Sequence, residues 1–168
     1  LLHASRWVNM RASVLSGTPD ELFRSIARRE MLRPSHVAEA FDLALPEVER
    51  VIGTTTIDDH GRIEAIEAIG ADDVLREQIV ASSRRLRERL RRYLESRIEP
   101  HDGRLVVCDI GWGGTIQESL VDLFSEFGWD IEVHGLYLML SPAGERRAHR
   151  GALMHGFFPH DGLHRADA

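Results

Sequence analysis

The chain has 168 residues, 43% of them hydrophobic and 29% charged. That balance builds one ordinary folded domain and excludes a wholly disordered chain. Its 27 acidic against 21 basic residues leave a net charge of −6, the wrong sign for a dedicated nucleic-acid binder. The single cysteine, Cys108, excludes an intrachain disulfide and a cysteine-rich zinc site, and the default compartment is the cytoplasm. No apolar run approaches the roughly 20 residues of a membrane span, and no signal peptide opens the chain. Every basic residue is Arg, which reads as genomic base composition. The chain begins Leu1-Leu2-His3 and is read as part of a longer polypeptide.

Residues 1–8 are short and apolar and are predicted as a buried strand. Thr18-Pro19-Asp20-Glu21 is a helix start, with Thr18 as cap and Glu21 closing a capping box. Ser35 is predicted to cap a second short helix. Pro46 starts a third, stopped by Gly53. Residues 53–61 read as a loop, and Ile63, Ile66 and Ile69 as a helix stopped by Gly70. The longest predicted helix runs over about 72–98. Its apolar positions are Leu75, Ile79, Leu86, Leu90 and Leu94. Arg84, Arg85, Arg87, Arg89, Arg91 and Arg92 fill its other faces. They read as a solvated face with acidic partners, or as a docking surface for a partner or an upstream domain.

The pattern then changes. Residues 104–110 are a β-branched run, hence a strand. A glycine-rich turn and an amphipathic helix over 115–127 follow, then a strand over 131–140. A strand–loop–helix–strand unit requires a parallel sheet. The predicted fold is a single α/β domain. It has a small parallel sheet of strands at about 1–8, 104–110 and 131–140, and a helical insertion at about 18–98. Residues 152–158 offer one further strand.

Chemistry concentrates in Asp109-Ile110-Gly111-Trp112-Gly113-Gly114-Thr115. Open α/β sheets bind ligands outside the carboxyl ends of their strands. Gly111, Gly113 and Gly114 would let backbone approach a ligand closely. Thr115 and Glu118 have capping-box spacing, and a helix start offers free N–H groups to a phosphate. Asp109 would hold a sugar hydroxyl or a metal, Mg²⁺. Trp112 would stack on a ring or sugar. Arg6, at the end of the first predicted strand, would pair with phosphate. The segment is neither a Walker A loop nor a dinucleotide fingerprint. The alternative is a tight strand-to-helix turn with no ligand. The nine histidines form no metal-ligand motif; His160 and His164 are spaced i,i+4 across a glycine. Cys108 reads as buried packing within a strand.

The stretch VVCDIGWGGTIQESL, followed by HGLYLML, resembles the C-terminal region of predicted hydrolases of the haloacid dehalogenase superfamily. Those are bacterial proteins often encoded among glycosyltransferase and surface-polysaccharide genes. Asp109, Ile110, Gly111, Trp112, Gly114, Thr115 and Gln117 match the first motif. Gly135, Leu136 and Tyr137 match the second, and Ser5-Arg6 matches an upstream serine-arginine pair. The resemblance implies an accessory domain of a hydrolase-like protein. Taken with the glycine loop, the expected ligand is a phosphorylated small molecule or nucleotide sugar, bound through Arg6, Asp109, Gly111, Trp112, Gly113, Gly114, Thr115 and Gln117. The resemblance does not imply phosphatase chemistry here. The superfamily's nucleophilic aspartate has a second aspartate two positions on, and Asp109 has Gly111. Type I phosphoribosyltransferases are similar in layout at Asp109 and Gly113-Gly114-Thr115, but their paired acids are missing.

Overall fold

The computed structural model describes residues 5–26, 31–98, 103–109, 113–149 and 153–158. The chain divides into two compact units, Leu1–Ser96 and Arg97–Ala168, where the sequence is read as one domain. The fold class is α/β with a small parallel sheet, as predicted, but the sheet is built from other strands at one position.

The first unit is helical among its described residues. It comprises α1 (Arg6–Ala12), α2 (Pro19–Ile26), α3 (Pro34–Phe41), α4 (Leu45–Ile52), α5 (Asp59–Ala71) and α6 (Asp73–Glu95). The strand predicted over 1–8 is therefore corrected from Arg6 onward; residues 1–4 lie outside the described ones. Asn9 and Ala12 are buried three residues apart, and Met10 and Val14 four apart. That is helical spacing, and α1 packs on α6. A short apolar run carries no period of its own, so packing decides its form. With that strand gone, the predicted insertion is a helical unit in its own right.

Local chemistry sets the helix ends. Glu21 backbone N–H donates to Thr18 Oγ1 at 3.4 Å, while Glu21 Oε2 accepts from the N–H of Thr18, Gly17 and Ser16. This is the predicted capping box, extended by two donors. The second helix starts one residue before Ser35, at Pro34, with Arg33 as cap and its N–H on His36 Nδ1. The predicted loop over 53–61 is shorter, because Asp58 caps α5 through the N–H of His60 and Gly61. Gly70 does not stop α5. Asp72 does, and the same residue caps α6 through Leu75 N–H. The core joins Leu22, Val37, Phe41, Ile66, Ile69, Leu75 and Ile79 from α2, α3, α5 and α6.

The second unit runs β1 (Gly103–Asp109), α7 (Thr115–Phe127), β2 (Ile131–Met139), α8 (Pro142–His149) and β3 (Met154–Phe158). Its strands lie in the order β1-β2-β3, both pairs parallel. A helix between each pair of parallel strands gives two successive strand–helix–strand units. Side chains alternate across the sheet. Val133, Gly135, Tyr137 and Met139 are buried, while Val106, Cys108, Leu136 and Leu138 are exposed. Cys108 is thus not the buried packing residue predicted: it falls on the exposed set of a strand with period two. No helix among the described residues is long and apolar enough to cross a membrane.

Arg50 grips both carboxylate oxygens of Asp72, at 2.8 and 3.0 Å. That pairing and the Leu75 N–H hold the Asp72 carboxyl below its ordinary value of 3.8. An unfolded chain then binds more protons than the folded one in the acid range. The stabilisation is complete above pH 3.8 and is lost as pH falls through the lowered folded value. Asp72→Asn keeps an oxygen for the cap and removes the charge. Its melting temperature should fall less steeply than that of the parent chain when circular-dichroism melts are taken from about pH 6 to about pH 2.5.

Candidate functional site

The junction between β1 and α7 is the place that the glycine-rich segment selects. Asp109, half-buried, ends β1 in register with Tyr137 of β2. Gly111 and Trp112, two of the predicted ligand residues, lie outside the described residues, as does Ile110 between them and Asp109. Gly113 is half-buried, and a Cβ there would meet nothing within 4 Å.

Gly114 is buried at φ +69 and is the cap residue of α7. The left-handed backbone is what favours glycine here; the flexible end of the Met154 side chain also lies where a Cβ would stand. This corrects the predicted capping box. Glu118 donates its backbone N–H to Gly114 O at 3.0 Å, so Thr115 is the first helical residue and caps nothing. Thr115 is 6% exposed, and its Oγ1 is buried without a hydrogen-bond partner. Helical Cα–Cβ bonds tilt toward the N-terminus. The hydroxyl therefore leans toward the end where the N–H groups of Thr115, Ile116 and Gln117 have no intrahelical acceptor.

Gln117 is differently employed. It is buried, and its Nε2 donates to Val133 O at 2.8 Å and to Leu153 O at 3.0 Å. Its Oε1 accepts from the Tyr137 hydroxyl at 3.0 Å. Both amide hydrogens and one carbonyl lone pair are spent inside the fold. Gln117 ties α7 to β2 and to the entry of β3, a structural task where a ligand contact was predicted. Gly135 serves the same bracket. A Cβ there would run into Gln117 Oε1 and the Tyr137 ring. Its own N–H donates to Leu153 O at 2.8 Å. The Gly135-Leu136-Tyr137 motif is thus a packing device. Sequence reasoning missed it, although the period-two spacing of Val133, Gly135 and Tyr137 already put them on one face.

Arg6 lies in the first turn of α1, half-buried, within the helical unit. The junction lies within the other unit. Among the described residues no group of three or more His, Cys, Asp or Glu is placed to hold a metal ion. His160 and His164 lie outside the described residues. Cys108 and Asp109 are neighbours on one strand and point to opposite faces, so the thiol does not serve the junction. An acid–imidazole contact among the described residues of this unit is elsewhere. Glu132 Oε2 meets His134 Nε2 at 2.6 Å and Arg104 Nε at 3.1 Å, and these two partners hold the Glu132 carboxyl below the usual range.

No protein-family model, curated protein or solved structure matches this chain. The chemistry of the junction has to come from its own geometry. The first turn of α7 holds a buried, unpartnered hydroxyl at the helix end that carries the positive dipole.

Gln117→Leu would take the side-chain donor from Val133 O, one of two donors from Leu153 O, and one partner from the Tyr137 hydroxyl. Unmade buried bonds cost about 1–3 kcal/mol each, so the loss should be roughly 3 kcal/mol in urea unfolding. Tyr137→Phe removes one bond and should cost about 1 kcal/mol. The double variant should cost less than the two losses combined, because the residues share a bond.

Proposed function

We propose that the second unit is a binding module for a phosphorylated small molecule, a sugar phosphate or nucleotide sugar, held at the N-terminus of α7. The observation that carries this is the Thr115 hydroxyl, buried and unpartnered in the first turn of α7. A buried hydroxyl without a partner is costly, and such orphans call for an explanation. A phosphate oxygen supplies the missing partner and meets the positive helix end at once. Asp109 is the carboxylate for a sugar hydroxyl beside that phosphate. It would also serve Mg²⁺, for which one carboxylate is enough when phosphate supplies other oxygens.

The role is binding rather than turnover. Asp109 lacks the second acid, two positions on, that a phosphatase of the superfamily requires. The resemblance puts the ligand in bacterial surface-polysaccharide metabolism, and the chain as the accessory part of a hydrolase-like protein. A cytoplasmic setting goes with both the ligand and the free thiol of Cys108.

Thr115→Val tests this with two readouts. Isothermal titration with inorganic phosphate, glucose 1-phosphate and a uridine diphosphate sugar, each with and without Mg²⁺, should show at least one ligand binding the parent chain. That ligand should bind the variant about tenfold more weakly, the worth of one charge-assisted hydrogen bond. The ligand-free variant should melt no lower than the parent, because valine removes a buried hydroxyl that bonds to nothing. Equal affinity in the two proteins, or no binding by any of the three, would overturn the assignment.

A further inference from the structure

Helix α6 carries six arginines between positions 84 and 92, and Glu88 is the acid among them. The structure sorts these arginines. Arg87 is committed to the fold: its Nη1 donates to Ala12 O at 2.9 Å and Val14 O at 3.1 Å, at the end of α1 and just after it. Arg91 pairs with Glu95 at 2.9 Å. Arg84, Arg85, Arg89 and Arg92 are exposed and form no ion pair among the described residues.

Three of these four form a line. Arg85, Arg89 and Arg92 are spaced i, i+4 and i+7, which places them on one side of a helix over about 10 Å. Ser83, Leu90 and Leu94 are buried and fall on the opposite side, so the line faces away from the core. Like charges at these spacings weaken a helix. Among the described residues no ion pair holds them, although Glu88 stands three residues after Arg85 and four before Arg92, in a chain whose net charge is −6.

We infer that the Arg85–Arg89–Arg92 line is a docking surface for an acidic α-helix of a partner protein. Arg85 and Arg89 rise about 6 Å along the axis, the spacing of carboxylates at i and i+4 on a facing helix. A nucleic-acid strand fits less well. Its charge density extends past three arginines and meets the field of an acidic protein. A membrane surface fits less well too, because insertion needs large apolar side chains interleaved with the cations. Between Arg85 and Arg92 that side has none. Exposed pairs of this kind are individually weak and screened by salt, so the contact is transient. It is independent of the phosphate site, which lies in the other unit.

The probe is a fluorescein-labelled alanine-based helical peptide with Glu at i, i+4 and i+7, titrated with the whole chain and read by anisotropy. The parent chain should bind it, and affinity should drop at least tenfold when salt rises from about 20 to about 200 mM. Arg85→Gln/Arg89→Gln/Arg92→Gln should weaken binding at least tenfold at low salt while melting like the parent. Arg91→Gln should bind within twofold of the parent. A single-stranded oligonucleotide and phosphatidylserine vesicles serve as competing probes. The inference falls if the peptide does not bind, if the triple variant binds it as the parent does, or if either competitor binds more tightly at equal salt.

Discussion

The second unit is organised around one buried amide. Gln117 reaches from α7 into the sheet and joins Val133 O, Leu153 O and the Tyr137 hydroxyl. A three-stranded parallel sheet has little area to hold a helix by apolar contact alone, although Leu120, Leu123 and Phe124 bury fully. The amide adds direction, fixing both the rotation of α7 and its height over β2. Once that is set, Gly135 must stay without a side chain, and Gly114 must turn left-handed beneath Met154. The position of the α7 N-terminus, and therefore of the Thr115 hydroxyl, follows from these restrictions.

This arrangement separates two kinds of motif residue that look alike in a sequence. Gln117, Gly135 and Tyr137 are satisfied by one another and by backbone. Thr115 is not. Three polar groups share one network, and the adjacent hydroxyl stays outside it. In the sequence these residues fall in two short stretches that look alike, and only the hydrogen-bond accounting divides them.

The sequence made most elements legible where a local signal was strong. Thr18-Pro19-Asp20-Glu21 builds the capping box it spells, and the β-branched run before Asp109 is a strand paired in parallel with the next. It failed where tertiary contacts decide. Residues 6–8 have no period of their own, and α6 draws them into a helix. Cys108 looks like core in any apolar run, and only the side of the sheet that α7 covers shows that it is exposed. Gly70 looks like a stop, yet α5 continues because Asp72 offers a better one. At the site, the strand end and the helix start were readable from spacing. The idle hydroxyl was not, because a missing bond leaves no trace in a sequence.

Asp72 closes α5 and opens α6, with no linker between them. A junction of one residue leaves no slack, so the two helices are phased against each other like keyed shafts. Inserting a single residue there would turn all of α6 by about 100°. Leu75, Ile79 and Leu90 would leave the core, and Arg87 would swing off the carbonyls that follow α1. The helical unit should therefore accept length changes in the turn between α4 and α5, where Thr54 to Thr56 are exposed, and reject them at Asp72. Among relatives of this chain, the α5–α6 corner should be the segment whose length never varies.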